Sequence, residues 1–266
     1  VGNLHFEAEW ITNENGINFH ANGGTGTMSA QVALTGETKT LSKNQFTRSG
    51  YTFAGWSTTP TGTVEYADRD QYVMGTDSNY TLYAVWIPNT NNINFHANGG
   101  TGTMSVQSAS TGETKALSQN QFTRSGYTFA GWSTTPTGAV EYTDQAQYTM
   151  GTDSSYTLYA VWTPIQYSIS YNLGGGTDMG NQEQYNIESD KITLIAPTRS
   201  GYVFAGWTGE GITEPTKDVS ITTGSIGNKT YTAVWAATVH FHANGGEGTI
   251  ASVTVVTNTS EYVLPK

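Results

Sequence analysis

The segment Ile17–Trp86 recurs almost verbatim as Ile93–Trp162, each residue standing 76 positions (93 − 17) from its counterpart. A third, more divergent copy runs from about Ile169 to Trp235. It keeps Tyr171 where the others have Phe19 and Phe95, then Gly174-Gly-Gly176, Arg199-Ser-Gly-Tyr-Val-Phe-Ala-Gly-Trp207 and Tyr231-Thr-Ala-Val-Trp235. A chain with this period is expected to fold as small units in series, each burying its own apolar face, rather than around one large core. Phe6-Glu-Ala-Glu-Trp10 aligns with Leu82-Tyr-Ala-Val-Trp86, so residues 1–10 read as the closing strand of a preceding copy. Val239-His-Phe-His-Ala-Asn-Gly-Gly246 opens a further copy over 239–266, and the parent protein is expected to extend both ways. The units are therefore 17–86, 93–162 and 169–235, flanked by two partial ones.

Composition supports several small cores filled by rings. Hydrophobic residues make up 36% of the chain and aromatics 12%, with 7 Trp and 16 Tyr, while 31 Gly against 7 Pro suit short strands and tight turns. Charged residues are sparse at 12% and sum to -10, which disfavours nucleic acid and anionic membrane as partners. No apolar run approaches the ~20 residues of a membrane span, and Val1-Gly-Asn-Leu-His5 lacks the regions of a signal peptide. Cysteine is absent. That leaves a cytosolic protein, or an exported bacterial one stabilised by aromatic packing alone; Thr/Asn/Gly richness favours the second.

Within a unit, Ile17-Asn-Phe-His-Ala alternates apolar and polar and then meets Asn22-Gly23, a strong turn signal. A second strand is expected over Met28 to Thr35, a turn at Gly36-Glu37, and a single helical turn is possible over Leu41–Phe46. Tyr51 and Phe53 share one strand face, and Gly55 shifts the register before Trp56 as a bulge would. Glu65-Tyr66 and Gln71-Tyr72 suggest short edge pieces, and Thr81–Trp86 closes the sheet. The expected core is Phe19, Tyr51, Phe53, Trp56 and Trp86, with Phe95, Tyr127, Phe129, Trp132 and Trp162 in the second unit. Tyr171, Tyr202, Phe204, Trp207 and Trp235 occupy the matching places in the third. Units one and two differ at alternating positions, Ala30/Val106, Val32/Ser108 and Leu34/Ser110, which marks a solvated strand face.

The pattern F-x-A-N-G-G-x-G-x-M, F-T-R-x-G-Y-x-F-x-G-W and T-L-Y-A-x-W stands at Phe19–Met28, Phe46–Trp56 and Thr81–Trp86. It resembles the Listeria–Bacteroides repeat, also called the internalin B-repeat, over nearly the whole chain. The third unit departs from it at Ala196-Pro197-Thr198 and over Thr208–Thr223, so its outer loops are expected to differ. The resemblance implies a mainly β, α+β fold of small β-grasp-like units in an elongated tandem array, carried by large bacterial surface and secreted proteins.

No nucleophile–base set is discernible, and glycoside hydrolysis needs two facing carboxylates where Glu37, Glu65 and their counterparts Glu113 and Glu141 stand singly as solvated turn acids. An enzyme is not expected, nor a cofactor. His20, His96 and His242 recur once per unit, too few for a metal site, while His240 and His242 share a strand face. Asp68-Arg-Asp70 hints at calcium, but unit two reads Asp144-Gln-Ala146 and loses half the pair; calcium at a junction stays open. Arg48, Arg124 and Arg199 precede Gly-Tyr in every complete unit. A structural role on an aromatic face or against a carboxylate is favoured over a repeated ligand contact.

The function expected is a semi-rigid stalk or adhesion region, extracellular on a bacterial surface. The linkers Ile87–Asn92 and Thr163–Ser168 are short and each holds a Pro, which limits swing. Units of roughly 25–30 Å would stack to a rod on the order of 100 Å. Alternatives are a glycan- or peptide-binding module using exposed rings, with Tyr66, Tyr72 and Tyr80 (Tyr142 and Tyr148 in unit two) as contacts, or a region of an extracellular fibre that self-associates through a strand edge. Host or cell-surface proteins and glycans are the partners in view.

Overall fold

The structure is a computed structural model, which describes residue 2 and residues 4–257. The end of the 239–266 segment and residues 1 and 3 lie outside the described residues. Two compact units are formed, one of residues up to 98 with 103–121 and 131–160, the other of 99–102, 122–130 and 161 onward.

The first repeat contains β1 (Glu14–His20), β2 (Gln31–Leu34), β3 (Thr38–Thr40), β4 (Tyr51–Ser57), β5 (Gln71–Val73) and β6 (Asn79–Pro88). Its main sheet has the order β2-β1-β6-β4, and β3 pairs with β5 in a separate two-stranded sheet. The central pair β1 and β6 is parallel, with Ile17 opposite Tyr80 and Phe19 opposite Leu82. The second repeat has β7 (Thr90–His96), β8 (Gln107–Ser110), β9 (Thr114–Ala116), β10 (Tyr127–Ser133), β11 (Gln147–Thr149) and β12 (Ser155–Pro164). They take the same order, β8-β7-β12-β10, with β9 paired to β11.

The expected turns form as read. Asn22 and Gly23 both take positive φ, at 48° and 87°. Gly55 sits at φ 152°, and the β4–β6 register slips between Phe53 and Gly55, as the bulge reading requires. The core of the first repeat is Trp56, fully buried, ringed by Ile17, Leu41, Met74, Leu82 and Ala84. Phe19 and Phe53 each pack on Trp56 at 4.9 Å between centroids. A ring surrounded by aliphatic side chains is thus the unit of packing, and the aliphatic share was not foreseen. Gly24 is required because a Cβ there would lie 2.7 Å from the Trp86 ring, whose Nε1 donates to Ala21 O at 2.9 Å.

In the second unit the third repeat has β13 (Tyr167–Asn172), β14 (Gln184–Tyr185), β15 (Ile192–Thr193), β16 (Val203–Gly209), β17 (Ile212–Thr216), β18 (Ser220–Ile221) and β19 (Lys229–Val239). β20 (Val253–Val256) follows and pairs with the far end of β19. The parallel pair recurs as β13 with β19. The reworked 208–223 stretch forms β17 against β16, where the first repeat has only an isolated bridge between Trp56 and Tyr66.

Several expectations are corrected. No helix occurs among the described residues, so the α part of the α+β, β-grasp-like reading has no counterpart. Leu41–Phe46 is not a helical turn: Leu41 and Phe46 are both buried, and Asn44 bonds the Phe46 N–H and C=O through its side chain. That side-chain pairing replaces helical backbone bonds. The second strand is shorter than Met28 to Thr35, being only β2. The linkers are mostly sheet: β6 ends at Pro88 and β7 begins at Thr90, leaving Asn89 between them, and the strands Ser155–Pro164 and Tyr167–Asn172 leave two residues, Ile165 and Gln166. Phe6–Trp10 forms no strand, and Phe6 and Trp10 are 90% and 91% exposed. A closing strand elsewhere in the chain lies between a parallel and an antiparallel neighbour, and these residues have neither.

Candidate functional site: the Arg-Ser-Gly-Tyr turn and the repeat joint

Arg48-Ser-Gly-Tyr51 is a tight turn leading into β4. Tyr51 N donates to Arg48 O at 3.0 Å, and Gly50 takes φ 76°, as the third position of a type II turn demands. The Arg48 guanidinium lies 3.9 Å above the Tyr51 ring centroid. Its other side faces the Asn-Gly turn, since a Cβ on Gly23 would stand 3.4 Å from Arg48 Cζ. Arg124 over Tyr127 and Arg199 over Tyr202 repeat the stack at 3.8 Å. A cation on a ring face at such sites contributes about 0.5–1 kcal/mol. The guanidinium therefore ties the turn before β4 to the turn after β1.

The same turn meets the next repeat. Within the first unit, Asn89 N donates to Gly50 O at 2.8 Å. A Cβ on Gly50 would fall 2.8 Å from Thr111 Cγ2 and 2.9 Å from Thr152 Cγ2, so only glycine fits beneath these methyls. Thr52 Oγ1 donates to Asn89 Oδ1 at 2.7 Å. Thr111 is held from below by Asn91, a buried amide whose Nδ2 donates to Thr111 Oγ1 and to Gly151 O, each at 2.9 Å. Asn15 makes the matching pair of bonds, to Thr35 Oγ1 and Gly75 O, in the first repeat.

Within the second unit an equivalent joint appears with other chemistry. Ile165 N donates to Gly126 O at 2.9 Å. A Cβ on Gly126 would lie 2.6 Å from Ile187 Cδ1 and 3.1 Å from Ile226 Cγ2. Tyr127 Oη donates to Glu188 Oε1 at 2.8 Å, and that bond, with some burial, raises the phenol above its ordinary pKa.

The remaining candidates fall elsewhere. Tyr72 and Tyr148, read as exposed contacts, are buried, and burial raises their phenol pKa values. Tyr66 and Tyr142 are half-buried and pack on them at 5.1 and 5.2 Å, while Tyr80 accepts from Asp77 N. Period-two alternation placed these residues on a strand but did not say that β5 and β11 cover a core. Tyr202, read as core, is 38% exposed, and Tyr51 and Tyr127 lie half-buried under their arginines. Trp207 and Trp235 are core, with Tyr171 and Phe204 packed against them; burial pushes the Tyr171 phenol up to about 12. Phe95 packs on Trp132 at 4.9 Å, and Phe129 on Trp162 at 5.7 Å.

Histidines and acids turn out to hold turns. His20, His96 and His242 accept through Nδ1 from the N–H of Asn22, Asn98 and Asn244. Asn172 does the same with Oδ1 for Gly174 N, which explains the exchange of His for Asn there. His240 and His242 lie beyond the end of β19, not on a strand face. Glu65 accepts from Thr58 N, Ser57 Oγ and Thr58 Oγ1, which depresses its carboxyl pKa, Thr58 N contributing most. Glu141 repeats this clamp, also with a lowered pKa. The recurrence of Ser-Thr-Thr eight residues before each Glu was the missed signal. Asp68 and Asp144 accept from Asn44 N and Asn120 N. Among the described residues no group of three or more His, Asp or Glu converges as a metal site, and no helix is long and apolar enough to cross a membrane.

The family model of the Listeria–Bacteroides repeat domain matches residues 9–85 and 92–161, and that of the divergent InlB B-repeat domain matches 167–239. A protein of Evansella cellulosilytica named as a Gly-rich membrane protein is 29% identical over 220 residues, 77% of this chain and 24% of its own length. Internalin H of Listeria monocytogenes is 33% identical over 85 residues, 32% of this chain and 15% of that protein. The chain thus spans a quarter or less of these two relatives.

Proposed function

Because the chain belongs to the family of Listeria–Bacteroides and InlB-type B repeats, we propose that it is a non-catalytic, semi-rigid spacer in an extracellular bacterial surface protein. The observation that carries this reading is the joint at Gly50, where a turn of one repeat sits under Thr111 and Thr152 of the next and bonds Asn89. Neighbouring repeats joined by packing and one or two residues of non-strand chain have little room to swing. Such an array sets a separation between the parts of a longer protein. It also presents repeated weak contacts to a host or cell-surface protein or glycan, which gain by avidity. Binding of sugars by ring stacking is not favoured, because Tyr72 and Tyr148 are turned into the cores.

Small-angle scattering tests the spacer directly. A rod on the order of 100 Å gives a radius of gyration of about 30 Å, whereas one compact globule of this length gives about 18 Å. The smaller value would overturn the reading.

A further inference from the structure

We propose that the two joints are of different kinds, and that Tyr127–Glu188, closed over Ile187 and Ile226, is a latch fitting the third repeat to the one before it. The inference rests on the spacer reading and concerns which repeat each face accepts. The faces occupy equivalent places in successive repeats. In the second repeat the face presents Thr111, Gly112 and Thr152, and the Tyr51 hydroxyl, 4.0 Å from a Cβ built on Gly112, has no hydrogen-bond partner among the described residues. In the third repeat Ile187 and Glu188 stand at the places of Thr111 and Gly112, and Ile226, one residue past Ser225 at the place of Thr152, lies 3.1 Å from a Cβ built on Gly126.

Glycine at the position of Glu188 offers no acceptor to the incoming tyrosine. A carboxylate there offers a charge-assisted bond, stronger than a neutral one. Isoleucine in place of Thr111, with Ile226 beside it, removes a hydroxyl from the surface under Gly126 and adds apolar contact. The third repeat therefore fits an incoming Arg-Ser-Gly-Tyr turn more tightly and with a directional contact. The first repeat's own face, Thr35, Gly36 and Thr76, has the residues of the open kind and nothing within 4 Å of a Cβ on Gly36. A repeat docking there would do so without a latch.

The test uses the full chain and amide hydrogen exchange at Asn89 and Ile165, whose N–H groups donate to Gly50 O and Gly126 O. Tyr127→Phe and Glu188→Ala are each expected to speed exchange at Ile165 about three- to tenfold, the range for loss of one partly exposed charged bond. Asn89 stays within about twofold in both, and Tyr51→Phe leaves both amides within about twofold. The double variant should be no faster than either single one, because both remove one interaction. Unchanged exchange at Ile165, singles that multiply in the double variant, or an equal effect of Tyr51→Phe at Asn89 would each overturn the latch. Scattering from the same samples separates the two ideas. An extended profile with unaltered Ile165 exchange sinks the latch alone, and a compact one sinks the spacer.

Discussion

Replacing Gly50, Gly126 and Gly201 in turn by alanine separates the joint from the turn that makes it. The three glycines have φ of 76°, 77° and 78°, so alanine meets the same left-handed strain at each, about 1 kcal/mol. Their surroundings differ. Nothing lies within 4 Å of a Cβ at Gly201, whereas at Gly50 the methyl would press on Thr111 and Thr152. At Gly126 it would meet Ile187 Cδ1, and also Ile187 Cβ at 3.1 Å, which side-chain rotation cannot withdraw. Overpacking of this sort adds roughly 1–3 kcal/mol, limited by the alternative of undocking the joint. Gly201→Ala should therefore destabilise by about 1 kcal/mol, Gly50→Ala by about 2 and Gly126→Ala by about 2–4. Calorimetry reads the total, at about 4–8 °C per kcal/mol for units of this size. Amide exchange shows where the loss falls: Asn89 loses protection in the first variant and Ile165 in the second. Equal shifts for all three glycines, with both amides still protected, would refute the claim that these turns are wedged beneath the next repeat.

Trp56→Ala is expected to cost roughly 3–5 kcal/mol and melt the first repeat ahead of the third in the full chain, followed by Trp fluorescence; an unaltered first transition would sink the packing account. His20→Asn should be neutral within about 0.5 kcal/mol and His20→Leu should cost about 1 kcal/mol, since Asn172 already does this work. Equal melting curves for the two variants would show that the Nδ1 bond is idle. Glu65 has a folded pKa below its ordinary value, so its contribution is present above the unfolded carboxylate pKa and is lost as pH falls through the folded one. Glu65→Gln should flatten the fall of melting temperature below about pH 5; an unchanged slope counts against the clamp.

Local rules in the sequence determined the period, the Asn22-Gly23 turn, the bulge at Gly55 and the place of Trp56 at the centre of a unit, because each is written in adjacent residues. The roles of the histidines and of Glu65 were legible in principle, since their partners stand two and seven or eight residues away. Tertiary structure alone decided the parallel pairing of β1 with β6, the burial of Tyr72 and the exposure of Tyr202. It alone set Gly50 beneath Thr111 and Thr152. Side-chain alternation tells which residues share a face, but not what covers that face. The covering groups here are far along the chain, in the next repeat at each joint, and their approach is set by packing that no short window of sequence contains.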